Sequence, residues 1–131
     1  MESSLRGKHI LLAEDNELNA EIAIVILEET GLIIDRVEDG IQCVNQIEQM
    51  PAGTYDMILM DIQMPNMDGY KATKCIRNLQ DKRKAELPII AMTANAFQED
   101  AEKCIAVGMN AHLAKPLKIE RVIATIAKYC G

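Results

Sequence analysis

Tryptophan is absent from this chain, and one phenylalanine and three tyrosines bring aromatics to only 3% of its 131 residues. So few rings leave no stacking platform for nucleic-acid bases. Positive charge is also thin: the formal net charge is −6, and the longest basic run is Lys82-Arg83-Lys84, just after Asp81. A nucleic-acid partner needs a clustered positive footprint, so that class is excluded. The short basic run reads instead as the solvated end of a helix. Long apolar runs are missing too, since none approaches the ~20 residues that span a bilayer. The polar start Met1-Glu2-Ser3-Ser4 lacks the apolar stretch of a signal peptide. Cytoplasmic residence without membrane contact is the default expectation.

Closely paired cysteines are likewise lacking. Cys43, Cys75, Cys104 and Cys130 are widely spaced with no C-x-x-C pair, which argues against a disulfide framework or a zinc site. The first three fall in amphipathic helical segments and are expected to pack as small hydrophobes. Cys130, beside the C-terminus, is expected at the surface.

What remains is an ordinary globular composition, 49% apolar and 26% charged, in a length that fits one domain, residues 1–131. Strand and helix patterns alternate five times. His9-Ile10-Leu11-Leu12-Ala13 reads as a first strand, followed by Ala20, Ala23, Ile24 and Leu27 on one helical face, with Gly31 as the stop. Leu32-Ile33-Ile34 and Val37 suggest a second strand. Asp39-Gly40 then leads into a helix carrying Ile41, Val44 and Ile47, halted before Pro51. A third strand ends at Asp61, and a helix opening near Asp68-Gly69 shows Ala72, Cys75, Ile76 and Leu79 on one face. Pro88-Ile89-Ile90-Ala91-Met92 forms a fourth strand ending at Thr93, before a helix with Phe97, Ala101, Cys104 and Ile105 that Gly108 closes. Ala111-His112-Leu113-Ala114 is a short fifth strand, and Ile119, Val122, Ile123 and Ile126 mark the last helix. This (βα)5 string predicts an α/β three-layer domain, a parallel five-stranded sheet covered by helices on both faces. The flavodoxin-like strand order 2-1-3-4-5 is the expected arrangement.

Asp61 stands out, because it closes the apolar run Met57-Ile58-Leu59-Met60. Burying an unpaired carboxylate is expensive. At the carboxyl end of a strand it is tolerable, since open α/β sheets keep their ligand crevice there. The other strand ends are also polar: Glu14-Asp15 after the first, Thr93 after the fourth, Lys115 after the fifth. In the order 2-1-3-4-5 these side chains converge on one rim. Each has a mundane reading when taken singly. Lys115 could pair with a surface acid, Thr93 could cap a helix, and Glu14 and Asp15 could face a helix dipole. Together they make a site. Three carboxylates repel and need a cation, and an all-oxygen set favours Mg²⁺, with Mn²⁺ as a substitute, over zinc. A hydroxyl and an ammonium beside them suit phosphoryl oxygens, which points to an aspartyl-phosphate site.

The stretches Leu12-Ala13-Glu14-Asp15-Asn16, Met60 to Gly69, Pro88 to Ala94 and Leu113-Ala114-Lys115-Pro116 resemble the receiver domain of two-component response regulators. The likeness covers nearly the whole chain, a core of about residues 7–129. It implies that Asp61 accepts a phosphoryl group from a phosphohistidine on a histidine kinase domain or a histidine phosphotransfer protein. It implies that Glu14, Asp15, Asp61 and the Gln63 backbone carbonyl hold Mg²⁺, and that Thr93 and Lys115 bind phosphoryl oxygens. It also implies a cis Lys115-Pro116 bond and a two-state surface on the fourth helix, fifth strand and fifth helix of the pattern. On that surface Phe97, Met109 and Tyr129 are candidates for a contact patch, with local packing the simpler expectation.

Two departures from the family pattern matter. His112 stands where members often carry Tyr or Phe as a rotating switch; a pH-sensitive switch and a surface histidine without a role are both open readings. Gln63 and Asn95 occupy the two positions that tune phosphate hydrolysis in this family. Both are amides, so no strong general base is expected and the phosphate should be moderately long-lived. Gln63 also weighs against a phosphatase of the haloacid dehalogenase type, which needs a second aspartate there. A flavin binder is disfavoured because Glu14 and Asp15 repel phosphate. Enzymatic turnover by the isolated domain would be self-dephosphorylation only. The Asp15-Asn16-Glu17-Leu18-Asn19 and Met92-Thr93-Ala94-Asn95-Ala96 stretches resemble receivers attached to hybrid histidine kinases. A relay role in a longer, membrane-anchored kinase is thus the expectation, a stand-alone regulator the alternative, and a monomer or weak dimer the expected assembly.

Overall fold

A computed structural model describes residues 5–94 and 98–130, without the side chains of residues 98–100. Its elements alternate as β1 (His9–Ala13), α1 (Glu17–Glu28), β2 (Ile33–Val37), α2 (Gly40–Gln49) and β3 (Met57–Asp61). There follow α3 (Gly69–Arg77), the single turn α4 (Lys82–Ala85), β4 (Ile89–Thr93), α5 (Gln98–Val107), β5 (Ala111–Ala114) and α6 (Ile119–Cys130). The strands form one parallel sheet in the order β2-β1-β3-β4-β5, as expected from the sequence.

Burial follows position in that order. The central strands β3 and β4 are buried at every residue, which is why they read as unbroken apolar runs. The edge strands β2 and β5 keep exposed positions and carry polar residues. Successive side chains on the inner strands alternate between two cores. Leu11, Ile58, Met60, Ile89 and Ala91 pack with α2, α3 and α5. Ile10, Leu12, Leu59, Ile90 and Met92 pack with α1 and α6. Helix starts are capped by side chains: Asn16, Asp39, Asp68 and Asp81 accept hydrogen bonds from backbone amides of Asn19, Gln42, Lys71 and Arg83 at 2.8–2.9 Å. Gly31, with φ of 89°, ends the first helical segment as its position suggested.

Some expectations need correction. The basic run is helical and solvated at Lys82 and Arg83 as expected, but it forms a turn of its own, capped by Asp81, after α3 has stopped at Arg77. Cys43 and Cys104 are buried as anticipated, but Cys75 is exposed. On α3 the inward stripe is Ala72, Thr73 and Ile76, and Cys75 is rotated off it. Ile41 and Ile105 are exposed for the same reason, since Gly40, Cys43, Val44 and Ile47 line the inner face of α2 and Cys104 turns inward from α5. Cys130 is half-buried, its thiol 3.4 Å from the Asp56 carbonyl oxygen. Met109 is core, and Tyr129 is half-buried with its hydroxyl donating to the Asn110 carbonyl. Phe97 and Asn95 lie outside the described residues. Among the described residues no helix is long and apolar enough to cross a membrane.

Candidate functional site

The carboxyl ends of β1, β3, β4 and β5 open into a cleft of about 950 Å³. Glu14, Asp15, Asp61, Gln63, Thr93 and Lys115 all line it. Glu14 and Asp61 are buried while Asp15 is exposed. One carboxylate oxygen from each of the three lies within 4.8 Å of the other two. That spread and the all-oxygen chemistry fit a hard divalent cation such as Mg²⁺. Zinc sites, by contrast, draw on Cys and His.

Lys115 ties the buried pair together. Its Nζ donates to Glu14 Oε1 at 2.8 Å and to Asp61 Oδ2 at 3.1 Å. The backbone holds the rest: the Asn16 amide donates to Glu14 Oε2 and the Gln63 amide to Asp61 Oδ1, both at 3.2 Å. Burial acts to raise the pKa of Glu14, but the hydrogen bonds from Lys115, Asp61 and the Asn16 amide outweigh it and leave it lowered. At Asp61 burial dominates, the neighbouring Glu14 adds to it, and Lys115 only partly opposes them, so the carboxyl is raised to about 6. Burial alone would depress the ammonium of Lys115, yet its two carboxylate partners hold it above its usual range. Lys115 pulls both carboxyls down, so the two shifts diverge only because burial and the neighbouring Glu14 outweigh it at Asp61.

Thr93, buried at the end of β4, accepts the Lys115 amide on its carbonyl at 2.8 Å, which fixes the end of β5 beside it. The Lys115-Pro116 peptide is cis. His112 faces solvent on β5 and does not line the cleft. Several contributors carry no sequence signal of their own. Arg36 on β2 donates from Nε (3.0 Å) and Nη2 (2.9 Å) to the Glu14 carbonyl, and from Nη2 to the Asp15 carbonyl at 3.3 Å. Asp68, Tyr70 and Lys103 also line the cleft, although only the topology brings α3 and α5 to it. The loop after β3 is anchored to α2: Asn66, with φ of 67°, donates from its amide to Asp39 Oδ2 at 2.8 Å, and the Gly40 amide donates to the Met67 carbonyl at 3.0 Å.

Residues 10–127 match the response regulator receiver domain model. The chain belongs to that family. It is 40% identical over 128 residues to hybrid signal transduction histidine kinase B of Dictyostelium discoideum, a match taking in 91% of this chain and 6% of that protein. It is 36% identical over 155 residues to histidine kinase 1 of Arabidopsis thaliana, covering 95% of this chain and 13% of the relative. The receiver thus spans only a small part of the curated relatives it matches. Among solved structures it resembles the receiver domain of a sensor histidine kinase from Pseudomonas aeruginosa PAO1, which holds a magnesium ion coordinated in its active site cleft. That likeness has a TM-score of 0.85 and 42% identity, covering 95% and 98% of the two chains. It also resembles the Saccharomyces cerevisiae receiver domain of Ssk1, crystallised with the histidine phosphotransfer protein Ypd1. There the TM-score is 0.85, with 26% identity and 96% and 90% coverage. The receiver fold, with its acidic cluster, is what the strand ends had suggested.

Proposed function

We propose that Asp61 is the phosphoacceptor, taking a phosphoryl group from a phosphohistidine and passing it on within a hybrid histidine kinase phosphorelay. One observation carries the reading: a buried aspartate at the end of the central strand shares a lysine with a buried glutamate, next to a third carboxylate. An Asp61 carboxylate oxygen attacks phosphorus, the P–N bond to imidazole breaks, and the departing electron pair stays on the imidazole nitrogen, which takes up a proton. Glu14, Asp15, Asp61 and the Gln63 carbonyl would hold Mg²⁺, or Mn²⁺ in its place, and the ion would neutralise charge on the phosphoryl oxygens. Lys115 and Thr93 are assigned the remaining phosphoryl oxygens, Lys115 exchanging a carboxylate for one of them.

The relay assignment draws support from the likeness to kinase receivers and from a surface feature. Leu18, Ile22 and Val25 recur at i, i+4 and i+7 on α1 and are all more than half exposed, at 65%, 51% and 60%. Ile22 and Ile26 open onto an apolar hollow of about 180 Å³ that reaches Lys115 and Pro116. This stripe suits an apolar helical face of a histidine phosphotransfer protein bearing the reactive histidine. Intact mass after incubation with acetyl phosphate and Mg²⁺ tests the phosphoacceptor: a gain of about 80 Da is expected, and Asp61→Asn should remove it. A gain that survives Asp61→Asn would refute the assignment.

A further inference from the structure

Lys103 on α5 and Tyr70 on α3 face each other across the mouth of the cleft. The Lys103 ammonium stands 4.4 Å from the centroid of the tyrosine ring, and both residues line the cleft. The charges around them are unbalanced. Among the described residues Glu14, Asp15, Asp61 and Asp68 supply four acids to the lining, against the two cations Lys115 and Lys103. Lys115 is committed to Glu14 and Asp61. A lysine held by a carboxylate presents little net field beyond its partner. A lysine held by a ring face is seated by a quadrupole, which leaves its full monopole in place. Lys103 is therefore seated at the cleft by the ring, and no carboxylate among the described residues pairs with it.

That matters for the reaction. Phosphoryl donors are anionic, the chain is net negative, and the acceptor lies among carboxylates. Charges at the rim of a cleft mainly set encounter rates and their salt dependence. We propose that Lys103, seated on Tyr70, is a positioning residue that draws the anionic phosphoryl donor into the cleft toward Asp61. This rests on the reading of Asp61 as the phosphoacceptor. Lys103 is exposed and contacts no carboxylate among the described residues, so its role is in capture and not in support of the fold.

The test is the initial rate of labelling of the full chain by acetyl phosphate at saturating Mg²⁺, followed by intact mass as donor concentration and ionic strength are varied. Lys103→Met should lower the rate at limiting donor by about threefold to tenfold in low salt. The deficit should shrink above about 0.1 M salt, where the screening length falls to roughly 10 Å. The loss should lie in the half-saturating donor concentration and not in the rate at saturation. Lys103→Arg should restore the wild-type behaviour, and Tyr70→Leu, which keeps the charge but removes its seat, should give an intermediate loss. Lys128→Met removes one charge from α6, outside the cleft, and should change neither parameter. Mg²⁺ affinity of Lys103→Met, measured by calorimetry, should be unchanged or tighter. Wild-type rates and salt dependence in Lys103→Met, an equal loss in Lys128→Met, or weakened Mg²⁺ binding would each overturn the proposal. A wild-type chain that takes no label at all would instead defeat the phosphoacceptor reading, and this one with it.

Discussion

Gly69 lies so close to Asp61 that a methyl group on its Cα would stand 2.4 Å from the Asp61 carbonyl oxygen and 3.0 Å from the Ile62 Cα. The same approach lets the Gly69 amide donate to the Ile62 carbonyl at 2.9 Å. The first residue of α3 is thereby pressed against the strand end that presents Asp61.

Gly69→Ala should therefore disturb the site and the fold together, because the nearest atom it meets, the Asp61 carbonyl oxygen, is backbone and cannot swing aside. Overpacking of this kind costs about 1–3 kcal/mol. Thermal melts should show a fall of several degrees and acetyl phosphate labelling should slow. A variant that melts and labels as wild type would refute the steric account.

Arg36 should matter for Mg²⁺ affinity although its guanidinium bonds the backbone and not the three carboxylates. It grips the carbonyls of Glu14 and Asp15 and so fixes the backbone from which both carboxylates project. Supporting contacts of this sort are worth about tenfold or more in affinity. Calorimetric titration of Arg36→Ala with Mg²⁺ should show that loss, and an unchanged affinity would remove Arg36 from the site.

The raised Asp61 pKa gives the metal-free protein a definite pH dependence. Its folded value, about 6, lies above the ordinary 3.8, so the stability it contributes is complete below about pH 3.8 and is lost as pH rises through about 6. Glu14 is lowered and has the opposite sign: its contribution is present above the ordinary 4.5 and fades as pH falls through its folded value. Above about pH 6 the folded metal-free protein carries Asp61 charged and unfavourable, and Mg²⁺ relieves that. The rise in Tm produced by Mg²⁺ should thus be larger at about pH 7.5 than at about pH 5. Equal rises at both pH values would contradict the shift.

Lys115→Met should separate metal binding from phosphoryl binding. Removing a cation held on Glu14 and Asp61 takes away a competitor of Mg²⁺, so calorimetry should give tighter binding, about fivefold or more. Labelling of Asp61 should nevertheless fall, because the phosphoryl oxygens lose their ammonium. Weaker Mg²⁺ binding would show that Lys115 supports the metal site and does not oppose it.

Phosphate lifetime should follow from Gln63, which lines the cleft and faces solvent and whose own side chain is an amide, where a carboxylate or imidazole could activate water. Mass measured over time after donor removal, with Mg²⁺ present, should show decay over minutes or longer. A half-life of seconds would contradict this.

The succession of elements was legible in the chain because two periods, 2.0 and 3.6, imprint themselves directly on residue order. The buried central strands β3 and β4 were the clearest, since a strand covered on both faces must be apolar throughout, and Asp61 was conspicuous for breaking that rule. Helix faces were legible only to within one position. Cys75, Ile41 and Ile105 were each expected inside and lie outside, because adjacent helical residues point about 100° apart and only docking against the sheet settles the rotation.

By itself, then, the sequence determined the (βα)5 order, the apolar sheet and the acids, hydroxyl and lysine that end its strands. Those are properties of local pattern. The tertiary structure alone decided how the charges divide. It put one ammonium between Glu14 and Asp61, which holds Glu14 low, while burial and the facing Glu14 push Asp61 up in spite of it. It brought Arg36 under the backbone that carries Glu14 and Asp15, and it set Lys103 on the ring of Tyr70 at the cleft mouth. Burial and Coulomb interactions depend on distance through space, and distance along the chain does not encode them.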